Sequence, residues 1–154
     1  DLQVRGEAEI ASGPVSGMPP LTRALLDVLP AQRWRAARRR NHAQLAAALA
    51  DTDGVAVLSP ADGEACAFLG VLRFDDVQRR DQVRQALVAH RIYPVVLWPL
   101  ETTALHGVPE AHRDWSRRML GVHCDARYDA ADMDRVAAAV ADEMDEALRE
   151  EPSR

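Results

Sequence analysis

The residues best able to do chemistry lie late in the chain, where GVHCDARY sets His123, Cys124 and Asp125 side by side with Arg127 and Tyr128 just beyond. A thiol beside an imidazole could form a nucleophile and base, and with two further donors it could form a zinc site. The stretch from Leu120 to Ala126 reads as a strand, however, and successive side chains of a strand point to opposite faces. Leu120, Val122 and Cys124 then share the apolar face, and His123 and Asp125 share the other. Imidazole and thiol cannot meet across that alternation, so no catalytic residue is expected here and Cys124 reads as a buried structural thiol. Cys66 and the scattered His42, His90, His106 and His112 show no ligand spacing, so no metal site is expected either. Arg127 keeps two readings. It is a surface tether, salt-bridged to Asp129 or Asp132, or a guanidinium fork for a carboxylate or phosphate.

Trp98 and Pro99 close a second segment, IYPVVLWP, that could bring side chains to the same place. Trp98 reads as a packing residue or a site wall, and Tyr93 and His90 share that ambiguity. Asn41 falls on the apolar stripe of a long helix and is expected to be buried and bonded to backbone groups. Every one of the 19 basic residues is arginine. No side-chain amine can therefore form a Schiff base, and neither a lysine-bearing phosphate loop nor GxGxxG is present.

The elements that must position these residues follow from periodicity. Residues 1–20, with Gly6, Gly13, Gly17, Pro14, Pro19 and Pro20, read as a linker or the tail of a preceding segment, which the resemblance given below would make a large domain. Leu21, Leu25 and Val28 mark a short helix stopped by Pro30, and a longer helix covers Gln32 to Ala50 with Trp34, Ala37, Asn41, Leu45 and Leu49 inward. Val55 to Ser59 reads as a strand, PADG as a hairpin loop, and Ala65 to Phe74 as a central strand covered on both faces. Asp75 or Asp76 caps a helix running to about Ala89, with Val77, Val83 and Leu87 inward. Ile92 to Pro99 is a strand whose Pro94 favours an edge. After the loop ETTALHGVPEA, HRDWSRRM is a short helix. Asp129 and Asp132 form a capping-box variant for a last helix with Met133, Val136, Val140, Met144 and Leu148 in its stripe.

The sum is an α+β two-layer sandwich, a small, mostly antiparallel sheet with helices on one face. At 154 residues and 47% apolar, the chain is one domain in size, expected over residues 21–150 with a disordered tail at 151–154. A net charge of −5 argues against a nucleic-acid partner, and the arginines of WRAARRR and the acidic end read as solvated helix faces. No apolar run suits a membrane, and two cysteines suit a reducing, cytoplasmic setting. The start at Asp1 reads as an internal cut or a processed end.

Taken in order, RRRNHAQLAAAL, AFLGVLRFDDVQRRDQVRQAL, HRIYPVVLWPL, HRDWSRRMLGVHCDARY and DAADMDRVAAAV resemble the C-terminal small domain of fold type I pyridoxal-phosphate enzymes of the DegT aminotransferase type. The resemblance spans Leu21 to Leu148. It implies amino-group transfer to a keto or sugar-nucleotide substrate by an intact homodimer. There a large domain holds pyridoxal 5'-phosphate through its lysine, while the small domain closes the cleft. Matched to this chain, the substrate-side positions are Trp98, Pro99, His123, Arg127 and Tyr128. The large domain is absent from this sequence, so no cofactor-binding residue is assigned and the isolated chain is expected to be inactive. The alternative is a non-catalytic binding or interaction module that uses the open face of its sheet.

Overall fold

The structure is a computed structural model and describes residues 2–13, 17–59, 65–101 and 106–150. It divides into two units, residues 1–31 and 32–154.

The first unit holds helices α1 (Leu2–Ser12) and α2 (Pro20–Val28). α2 starts with Pro20 at a first-turn position, where the missing N–H has no helical partner to lose, and ends as Leu29 turns extended before Pro30. α1 falls where the sequence gives no periodicity. Its run of Leu, Gln, Arg, Glu and Ala carries enough intrinsic helix preference without an apolar stripe.

The second unit holds α3 (Ala31–Ala48), β1 (Val55–Leu58), β2 (Gly70–Phe74), α4 (Val77–Ala89), α5 (Glu110–Arg117), β3 (Met119–Val122) and α6 (Ala130–Glu150). The sheet is antiparallel in the order β1-β2-β3. Its register aligns Val55 with Phe74, Val57 with Leu72, and Leu72 with Leu120. These residues therefore form one apolar face, on which Leu45 of α3 and Leu49 just beyond it, Val83 and Leu87 of α4, and Met133, Val136, Val140 and Met144 of α6 complete the core. This is the expected α+β two-layer architecture. The Leu148 side chain and residues 151–154 lie outside the described residues, as does the PADG loop.

Four expectations about elements need correction. Trp34 is not inward but 44% exposed, while His42, one position beyond Asn41, is buried with Nε2 3.1 Å from the Leu58 carbonyl. The central strand is shorter than Ala65–Phe74 and is covered fully on one face only. Its alternate residues Val71 and Arg73 are half-buried, and the Arg73 guanidinium lies 5.8 Å from the Trp115 ring of α5. Ile92–Pro99 forms no strand but a single bridge, Val95 to Gly121. Pro94 supplies no N–H, and Trp98 turns the chain with φ 39°, while Ser116 Oγ donates to the Trp98 carbonyl at 2.6 Å and accepts the Leu100 N–H. Finally, β3 stops at Val122 rather than Ala126, because Asp125 opens a turn. In that turn the Asp125 carbonyl accepts the Tyr128 N–H, and its carboxylate accepts the Arg127 N–H.

Candidate functional site

The turn after β3 is built on Asn41. Its carboxamide nitrogen, only 4% exposed at the residue level, shares its two N–H groups among the carbonyls of Cys124, Asp125 and Tyr128 at 3.2, 3.1 and 2.9 Å. A buried carbonyl without a partner costs about 1 to 3 kcal/mol, so one asparagine here fixes the path of the whole turn. Cys124 is fully buried beneath it, and burial pushes its thiol pKa up, away from a reactive thiolate. Cys124 is buried on the apolar face, as its place in the strand predicts. Among the described residues no group of three His, Cys, Asp or Glu side chains is arranged to hold a metal.

Arg127 pairs with neither Asp129 nor Asp132. Its Nε and Nη2 grip both carboxylate oxygens of Asp125 at 2.8 Å each. That side-chain hydrogen bonding holds the Asp125 carboxyl well below the usual carboxylate range and the guanidinium above its own. Asp129 and Asp132 are engaged with each other instead. The Asp129 N–H donates to the Asp132 carboxylate and the Asp132 N–H to that of Asp129, both at 3.1 Å, a reciprocal cap on α6.

His123, Arg127 and Tyr128 line one cavity of about 320 Å³. The His123 and Tyr128 rings are near-parallel, 18° apart with centroids separated by 6.5 Å, and the Arg127 guanidinium sits 5.5 Å from the Tyr128 centroid. Apolar parts of Ile92, Val122, Met133 and Val136 line the same space. Sequence reading missed Arg91 and Arg135, which also line it. The only local signal was an arginine where the helix ending at Ala89 needed a stop and glycine would be usual.

Trp98 is not in that cavity. It is 73% exposed, so it is no packing residue, and it borders a shallow groove of about 540 Å³ on the open face of the sheet. That groove is almost wholly apolar, lined by Leu58, Phe68, Leu69, Val71, Val95 and Leu97 among others. Pro99 lines neither space. Of the five substrate-side positions, three thus share the cavity, Trp98 borders the groove and Pro99 lines neither. Part of the arginine run on α3 is structural: Arg38 donates to the Phe68 carbonyl at 3.0 Å and lies 5.3 Å from its ring.

The chain offers pyridoxal phosphate no covalent anchor. All 19 basic residues are arginine, so the chain contains no ε-amine to hold the carbonyl carbon of the cofactor. No helix among the described residues is long and apolar enough to cross a membrane.

No known family profile matches the chain, and no curated protein matches its sequence. Solved structures do match its fold. The aminotransferase TlmJ from Streptoalloteichus hindustanus superposes with a TM-score of 0.67 at 15% identity, covering 76% of this chain and 33% of its own. DesV of S. venezuelae gives 0.63 at 20%, covering 73% and 32%. A DegT DnrJ EryC1 StrS aminotransferase from Brucella abortus gives 0.58 at 20%, covering 70% and 30%. The chain therefore has the α+β fold of about one third of a DegT/DnrJ/EryC1/StrS-type aminotransferase.

Proposed function

We propose that the chain is the C-terminal small domain of a pyridoxal-phosphate aminotransferase, forming a substrate-side wall without holding the cofactor. The observation that carries this reading is the fold match, which accounts for about three quarters of this chain but a third of the others. The lysine-free composition agrees with it: a segment that never attaches the cofactor needs no amine. In this reading His123, Arg127 and Tyr128 face substrate, and residues 1–20 lead in from the cofactor-binding part. Trp98 and the apolar groove on the open sheet face suit contact with the rest of the enzyme. Two thirds of a relative's length would be available to cover that face. The intact enzyme would be a homodimer in the cytoplasm, acting on a keto or sugar-nucleotide acceptor.

The test uses the product of the whole gene. It is purified with pyridoxal phosphate, reduced with borohydride and mapped by mass spectrometry. A pyridoxyl-lysine outside residues 1–154 is the expected result, and a product that takes up no cofactor would reject the reading. The groove keeps a second reading alive, a non-catalytic module that binds a partner through the same apolar face. That module would elute as a stable complex with its partner and show no reduced cofactor adduct.

A further inference from the structure

We infer that the cavity at the end of β3 binds a planar aromatic anion, an aryl carboxylate or phosphomonoester, through Arg91 and Arg135 against the rings of His123 and Tyr128. The inference takes its residues from the substrate-wall reading but needs neither the cofactor nor the reaction.

The first observation is the lining. Three arginines, Arg91, Arg127 and Arg135, stand against one carboxylate, Asp132, in a chain whose net charge is −5. Arg127 is neutralised by Asp125, so the positive excess comes from the other two. Arg135 donates through Nη2 to the His90 carbonyl at 2.6 Å, which tethers its guanidinium beside the end of α4, next to Arg91. The Arg91 guanidinium has no hydrogen-bond or ion-pair partner among the described residues. The same cavity is lined by the near-parallel His123 and Tyr128 rings and by aliphatic side chains, which suit a flat apolar body rather than a bare ion.

The second observation is conformational and independent of charge. α4 ends in a Schellman motif: the Ile92 N–H donates to the Leu87 carbonyl at 2.8 Å and the Arg91 N–H to that of Val88 at 2.9 Å. The residue between cap and exit must be left-handed, and Arg91 has φ 61°. Glycine takes that conformation without a Cβ penalty, whereas an arginine there is strained. Strained side chains held at the edge of a cavity are characteristic of ligand sites. The fold by itself would be better served by glycine, and the arginine that stands there borders the cavity.

The two observations make one test possible. Phenyl phosphate, inorganic phosphate and phenol are titrated separately into the 154-residue chain, followed by backbone amide shifts and calorimetry. Phenyl phosphate should saturate and shift Arg91, His123 and Arg135, with phosphate and phenol each weaker by about tenfold or more. Arg91→Gly should raise the melting temperature while weakening phenyl phosphate about tenfold, since one charge-assisted hydrogen bond is lost. Arg135→Gln should weaken it similarly. No saturable phenyl phosphate binding at millimolar concentration would overturn the inference, as would an Arg91→Gly chain that gains stability and keeps its affinity. A cofactor-bearing gene product whose 154-residue portion ignores phenyl phosphate would sink this site and spare the aminotransferase reading. Binding here without a cofactor adduct on the whole product would do the reverse.

Discussion

The carboxamide of Asn41 reaches from α3 to three carbonyls around the turn at Asp125, so its loss should be felt well away from its own helix. Asn41→Ala is expected to cost about 2 kcal/mol in chemical denaturation, because buried acceptors are left unpaired. Beside it, the folded-state Asp125 carboxyl titrates below its unfolded value. The ion pair with Arg127 therefore adds stability that is present above about pH 4 and is lost as pH falls through the folded value. Native protein should be more stable than Asp125→Asn at pH 7, and melting curves taken at successively lower pH should show the difference shrinking. A difference that stays constant into strong acid would show that the carboxylate charge is not the cause. The two cysteines offer a third check, since Cys66 is exposed and Cys124 buried. Brief alkylation of folded protein should label Cys66 and spare Cys124 until denaturant is added, as peptide mapping would reveal.

At the scale of elements, the cap joining Asp129 and Asp132 is the clearest local determinant of α6. Asp129→Ala should destabilise the fold by about 1 kcal/mol, with Asp129→Ser recovering most of the loss, both read from denaturation midpoints. That cap was legible in DAAD because capping is written in four consecutive residues. The Asp76 cap on α4, which accepts the Arg79 N–H at 2.8 Å, was legible for the same reason. The failures are elements decided by distant groups. Ile92 to Pro99 is apolar and β-branched like a strand, yet Ser116, far along the chain, takes up the backbone of Trp98 and Leu100. β3 ends early because Asp125 opens a turn, whose carbonyls Asn41 takes up from another element. In the candidate site, His123, Arg127 and Tyr128 could be placed together because one turn carries them. Arg91 and Arg135 could not, since only the packing of α4 against α6 brings them to the same cavity.

For the whole molecule, composition carries the most weight. A chain with a full apolar core, the fold of about one third of these aminotransferases and no lysine has no side-chain amine with which to retain the cofactor covalently. In the proposed reading, catalytic competence belongs to the product of the entire gene. The decisive measurement compares amino transfer from a donor amino acid to a keto acceptor, with pyridoxal phosphate present, by residues 1–154 and by the whole gene product. Transfer by the whole product, with residues 1–154 no faster than the free cofactor in solution, is the expected result. Turnover by residues 1–154 alone would contradict it outright.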